Sequence, residues 1–146
     1  MTGCGDAPPP VAPEDPAADP AYIQKVQQLT ETTHQAEIAF QQKKPDDAAA
    51  LIEKAEPVSS EVLAVPKPSL AAMQAASDLD DLYGRMLLSN RHYEWALFLF
   101  QKCSARWKYW QPQTDDTARR LKLAESEIAE CQRRMAGHDK GGPFQR

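Results

Sequence analysis

From Tyr22 onward, apolar side chains return every three or four residues, the period of a helix with one buried face. Tyr22, Ile23, Val26, Leu29, Ala36, Ala39 and Phe40 predict a first helix over about 22–43. Lys43 and Lys44 sit where cations suit a helix C-terminus, and Pro45 cannot continue that helix but can open the next. Asp46 and Asp47 complement a new N-terminus, and Ala48, Leu51, Ile52 and Ala55 give a second helix over about 46–56. Residues 57–68, PVSSEVLAVPKP, hold three prolines and read as a loop between hairpins. Ser69 is a good N-cap for a third helix carrying Leu70, Met73, Ala76, Leu79, Leu82, Tyr83, Met86 and Leu87. Ser89 and Asn90 break it. A fourth helix follows, with Tyr93, Ala96, Leu97, Phe100, Cys103 and Trp107 on one stripe, and Pro112 stops it. Thr114 or Asp115 caps a fifth, whose stripe is Leu121, Ala124, Ile128, Cys131 and Met135 and whose end is Gly137. No segment alternates with period 2, so no sheet is expected. The expected fold is all-α: about five helices in antiparallel hairpins over 21–136, followed by a flexible tail at 137–146.

The first twenty residues differ in kind. MTGCGDAPPPVAPEDPAADP holds six of the chain's twelve prolines and almost no bulky apolar side chain after Met1. It cannot bury enough surface to offset its ordering entropy, and it reads as an extended, disordered, Pro/Ala-rich acidic tether. Charge is uneven as well. Residues 1–20 carry four acidic and no basic side chains, residues 102–146 carry ten basic and six acidic, and the whole chain sums to −4. That balance argues against nucleic acid, which calls for a clustered basic face. No apolar run approaches the ~18–20 residues that span a bilayer.

Two stretches align internally. AEIAFQQKKPDDAAALIEKA at 36–55 matches GRMLLSNRHYEWALFLFQKC at 84–103 at an offset of 48 residues. Ala36, Ala48, Ile52 and Ala55 correspond to Gly84, Ala96, Phe100 and Cys103, with Leu87 as the large apolar residue of the second copy's first helix. Small residues at these positions let paired helices approach closely, and the larger ones fill the groove between them. On these residues the chain resembles the tetratricopeptide-repeat family, most clearly at Gly84, Leu87, Ala96, Phe100 and Cys103. It departs from that family in its offset, which in the family is about 34 residues. The resemblance implies stacked helical hairpins with a concave surface that holds a peptide or another protein.

Thr2-Gly3-Cys4, with Gly5, Asp6 and the Pro/Ala-rich stretch behind it, resembles the end of a bacterial lipoprotein signal. That implies lipid attachment at Cys4 and a place in the cell envelope, facing the periplasm. No basic and apolar leader stands before Cys4 in this sequence, so the expectation rests on an upstream segment.

Candidate chemistry is sparse. The three cysteines, Cys4, Cys103 and Cys131, have neither CxxC pairing nor metal-ligand spacing with His34, His92 or His138. Cys103 and Cys131 lie on apolar stripes of antiparallel helices, too far apart in register for a disulfide, and read as small core residues. Glu31, His34 and Glu37 share a helix face but lack a second ligand set. Asp78, Asp80 and Asp81 point different ways around one helix. The late aromatics and their neighbours are the best candidate contact surface: Trp95, Phe98, Trp107, Tyr109, Trp110 and Arg106. The expectation is a non-catalytic interaction module without cofactor or metal. It would bind another protein or peptide and no small-molecule substrate, and would be membrane-tethered through Cys4. A soluble cytoplasmic chaperone or adaptor, and a structural subunit of a larger assembly, are the alternatives.

Overall fold

A computed structural model describes residues 15–141, the last four of them by backbone alone. Its elements are a short 3₁₀ turn at Pro16–Ala18 and five α-helices: α1 (Pro20–Gln41), α2 (Pro45–Leu63), α3 (Leu70–Ser89), α4 (Tyr93–Tyr109) and α5 (Asp115–Gly141). The all-α architecture read from the periodicity is the one found. Successive helices pack as adjacent antiparallel pairs, α1 along α2, α3 along α4 and α4 along α5, while α3 also rests on α1 and α2.

The helix starts follow local chemistry. Asp19 accepts from the Ala21 N–H at the head of α1, where Pro20 needs no donor of its own. Ser69 accepts from the Ala72 N–H and caps α3. Asp15 caps the 3₁₀ turn, and Ala17 packs against the main core. The Pro-rich segment expected over 1–20 therefore gives way to structure by residue 15, and residues 1–14 lie outside the described residues.

The loop expected at 57–68 is a correction. The helix α2 runs straight through Pro57 to Leu63, leaving only residues 64–69 as the link. Proline costs a helix one backbone hydrogen bond and some steric strain. Here that loss is outweighed by burial beyond it: Ser59 and Val62 are buried and Val58 and Leu63 pack on the core. The end of α5 is also later than expected, at Gly141 rather than Gly137.

The core has two parts. Tyr22, Val26, Leu29, Ala36, Ile52, Val62, Leu79 and Leu82 belong to the larger one, formed by α1, α2 and α3. Ala96, Phe100 and Cys131 centre a smaller one, shared by the end of α3, α4 and α5. Small residues set the spacing in both. Ala36, Ala48, Ala96 and Ala55 are at most 1% exposed. At Gly84 a Cβ would stand 2.6 Å from the Phe100 ring, so α3 and α4 meet there at a distance that only glycine permits.

The α1–α2 and α3–α4 turns share one geometry. Among the described residues, Lys43 and Arg91 are the two non-glycine residues with positive φ, 61° and 65°. Behind them Lys43 N–H donates to Phe40 O and Lys44 N–H to Ala39 O, while Arg91 N–H donates to Leu88 O and His92 N–H to Leu87 O. This is the left-handed C-terminal cap that usually falls to glycine. Because the left-handed region costs an L-residue about 1–2 kcal/mol, Lys43→Gly is expected to raise stability by about 1 kcal/mol. A urea midpoint that falls instead would show that the lysine side chain makes up the difference.

Candidate interaction surface

Helix α4 turns a row of small and large apolar residues inward: Ala96, Leu99, Phe100, Cys103 and Trp107 are all buried. At 3.6 residues per turn, Trp95, Phe98, Lys102 and Tyr109 then fall within an arc of about 60° alongside that row and outside it. The exposures follow: Trp95 67%, Phe98 54% and Tyr109 74%. Lys102 Nζ stands 5.8 Å from the Phe98 ring centroid and Lys108 Nζ 5.6 Å from that of Tyr109. Other exposed large apolar residues, such as Ile23, Ile38 and Leu123, are scattered singly over other helices.

The six residues read from the sequence as a contact surface therefore divide. Trp95, Phe98 and Tyr109 face outward together. Trp107 is a correction: it is 1% exposed, lies under the Arg120 guanidinium at 5.4 Å and is not reachable by a partner. Trp110 is half-buried and meets Trp107 edge-on, with centroids 6.4 Å apart. Arg106 is a correction too, because its guanidinium turns inward, donating to Ser77 Oγ at 2.7 Å and to Asp80 Oδ2 at 3.2 Å. The predicted packing residues Ala36, Ala48, Ile52, Ala55, Gly84, Ala96, Phe100 and Cys103 are buried, and Leu87 is half-buried. Cys4 lies outside the described residues.

Residues of α1, α3 and α5 build a second polar surface that the sequence reading passed over. Arg85 joins Glu37 of α1 to Asp81 of α3, donating to Glu37 Oε2 at 3.1 Å and to Asp81 Oδ2 at 2.8 Å. Its hydrogen bonds hold the Glu37 carboxyl below the usual range. Arg120 of α5 bridges Asp116 and Asp78, and Gln74 reaches Asp116 from α3. A cleft of about 430 Å³ opens beside this ladder, between α1 and α3, with Thr30, Glu31, His34, Asp78 and Arg85 on its walls. The three aspartates that looked merely dispersed on α3 thus have three different partners: Asp78 meets Arg120 of α5, Asp80 meets Arg106 of α4, and Asp81 meets Arg85 of its own helix, which in turn reaches Glu37 of α1. The Asp81–Arg85 spacing of four residues was the available signal, since i,i+4 pairs meet on a helix.

Burial, followed by hydrogen bonding to Asp81 and its charge, pushes the Glu127 carboxyl up to about 9. Asp81 Oδ1 is buried and receives no N–H or hydroxyl donor, and the Glu127 carboxyl is the group that would supply one when protonated. The folded state then keeps a proton that the unfolded chain releases above about pH 4.3. Stability from this group is complete below that value and is lost as pH rises toward the folded value. Glu127→Gln is expected to stabilise the domain at about pH 8 and to change little near about pH 4. Urea melts at the two values test this, and equal effects at both would rule out the shared proton.

Cys103 and Cys131 are free and buried. Burial, with Asp80 nearby, pushes the Cys103 thiol up to about 12, which keeps it from being a thiolate nucleophile. Among the described residues no group of three or more His, Cys, Asp or Glu side chains is placed to hold a metal ion. Among them, too, no helix is long and apolar enough to cross a membrane. In comparisons with protein-family models, curated proteins and solved structures, nothing matches this chain.

Proposed function

We propose that the chain is a non-catalytic interaction module that holds or helps assemble a protein complex, tethered to a membrane through Cys4. One observation carries the first half of this reading: Trp95, Phe98 and Tyr109 stand exposed together on a helix whose inward face is locked in the core. Exposed Trp and Tyr on a rigid element cost little entropy to dock and supply much of the energy at protein interfaces. The kinship with tetratricopeptide repeats is also proposed, and the matching turns at Lys43 and Arg91, 48 residues apart like the aligned sequences, support it. The tether is supported by the Gly-Cys start and the Pro-rich acidic stretch alone.

Two experiments test the halves separately. A photo-crosslinking side chain at position 95, 98 or 109 of the full chain, in its native cells, is expected to yield one discrete protein adduct. Positions 28 and 49, which are exposed on α1 and α2, are expected to yield none. Adducts that do not differ between the two sets sink the reading. For the tether, the intact mass of natively expressed protein is expected to carry acyl chains at Cys4, and a free Cys4 thiol ends that half.

A further inference from the structure

We infer that the cleft between α1 and α3 is a seat for one alkylammonium group, a role separate from that of the α4 aromatics. Among the described residues, two buried side-chain oxygens have no hydrogen-bond partner, Thr33 Oγ1 and Asp81 Oδ1. Both residues line this one cleft of about 430 Å³. An unpaired buried polar atom is costly, and a native fold that keeps one has a use for it or a partner for it. Thr33 is 5% exposed. A helical threonine commonly returns its hydroxyl to a carbonyl three or four residues back, as Thr30 does to Val26 O at 2.9 Å. Thr33 makes no such bond. Asp81 accepts from Arg85 at 2.8 Å through its other oxygen, Oδ2.

Helix register brings the two oxygens toward each other. Arg85 reaches Glu37 at a sequence offset of 48 residues, and further along the same two helices Phe40 and Gln41 share a pocket with Ser89 and Asn90. Thr33 and Asp81 stand at that same offset, one turn earlier. They therefore lie near one level on opposite walls, yet no hydrogen bond joins them. One group with two N–H donors, set between the walls, satisfies both. Glu127 of α5 does not compete for the place, because a carboxylate oxygen can accept two hydrogen bonds. A proton from Glu127 leaves Asp81 Oδ1 a second lone pair for the cleft.

Charge selects a cation. Glu31, Glu37, Asp78 and Asp81 are on the walls together with Arg85, and Arg120 reaches Asp78 from α5 at 2.8 Å. Four carboxylates thus meet two guanidinium groups, and Glu31 takes its hydrogen bond from the neutral Gln35 amide. The walls keep a negative surplus. A metal ion does not match it, since these acids and His34 do not converge as a ligand set. A guanidinium does not match either, because its planar fork wants paired acceptors on one side. An ammonium carries three rotatable donors on a compact head, enough for Thr33, Asp81 and one further carboxylate. The volume falls within the ~300–1,000 Å³ of small-ligand sites, which leaves room for the alkyl stem.

The experiment follows NMR shifts of the full chain on titration with n-butylammonium. Two controls divide its properties: tetramethylammonium carries the charge without an N–H donor, and n-butanol carries the stem without the charge. Saturable shifts centred on Thr33 and Asp81 are expected with n-butylammonium, and binding at least ten-fold weaker with either control. Thr33→Val keeps the shape and loses no hydrogen bond within the protein, so it is expected to weaken n-butylammonium at least three-fold while the thermal midpoint holds or rises. Asp81→Asn is expected to weaken it at least ten-fold, and if that variant does not fold, Thr33→Val decides alone. Tetramethylammonium binding as tightly as n-butylammonium overturns the inference, because the cleft then only gathers positive charge. Shifts centred elsewhere, no saturation, or unchanged affinity in Thr33→Val overturn it too, the two oxygens then holding water alone. Putrescine and N-acetyl-lysine methylamide distinguish the sources: tighter putrescine assigns the seat to a free amine, tighter lysine derivative to a lysine side chain of another protein, and binding of neither ends the inference. The crosslinks at 95, 98 and 109 report on the interaction module independently of these results.

Discussion

Phe100→Ala is expected to destabilise the domain by about 3–5 kcal/mol, a large share of the ~5–15 kcal/mol that holds a domain of this kind together. Phe100 is fully buried, and its ring fills the space that Gly84 leaves open, with the ring edge 2.6 Å from where a Cβ would stand. Truncation removes the ring's transfer free energy and leaves a cavity between α3 and α4 that two helices fixed by other contacts close only in part. The glycine makes the test sharper. Gly84→Val alone is expected to cost about 1–3 kcal/mol, because it overpacks against an immobile ring. In the double variant the valine enters the vacated space, so the combined loss is expected to fall well short of the sum. Two residues in direct contact should show such coupling. Urea denaturation of the four proteins measures it, and simple additivity would mean that Gly84 and Phe100 do not share one packing site.

The second large effect concerns charge inside the α3–α4 interface. Arg106→Met is expected to cost about 3 kcal/mol. Asp80 is 5% exposed, and Arg106 is its closest cation, with Lys102 Nζ further off at 3.7 Å. Removing the guanidinium strands a buried carboxylate and also frees Ser77 Oγ from its donor. Breaking a buried pair from one side costs about 3–5 kcal/mol, whereas neutralising both sides can cost little. Lys102 keeps part of the attraction, which places the expectation at the lower end. Asp80→Asn combined with Arg106→Met is accordingly expected to recover most of the loss. A single-variant cost below about 1 kcal/mol would show that Lys102 alone satisfies Asp80.

How much of this was legible in the chain can be judged residue by residue. The helices were, because their apolar period is unbroken, and so were the close-packing positions, because Ala36, Ala48, Gly84 and Ala96 are small where neighbours on the same face are large. Pro57 misled because a local rule was given more weight than a longer pattern. Ala55, Ser59 and Val62 continue the buried face past it, and that burial holds the helix together without one N–H. Trp107 and Arg106 misled differently. Their place is decided by Asp80, 26 residues upstream of Arg106, and by Arg120 in the next helix, neither of which periodicity can connect to them. The Asp81–Glu127 pair is of the same kind: two acids far apart in sequence that influence each other only when the fold brings them together. Trp95, Phe98 and Tyr109 were legible as candidates, but only the position of the buried stripe on α4 told which aromatics were left outside.

The hydroxyl of Tyr22, the third residue of α1, donates to Val62 O at 2.7 Å and accepts from the Ser69 N–H at 3.4 Å. It ties the start of α1 to the exit of α2 and the start of α3, which lie 40 and 47 residues further along the chain. A mechanical load applied from the N-terminal side enters the fold at this point. The hydroxyl spreads it over two further helices rather than letting α1 peel away from its first turn. Together with the Lys25–Glu61 ion pair that joins the same two helices, it helps set how the molecule resists tension, a property that equilibrium stability does not measure.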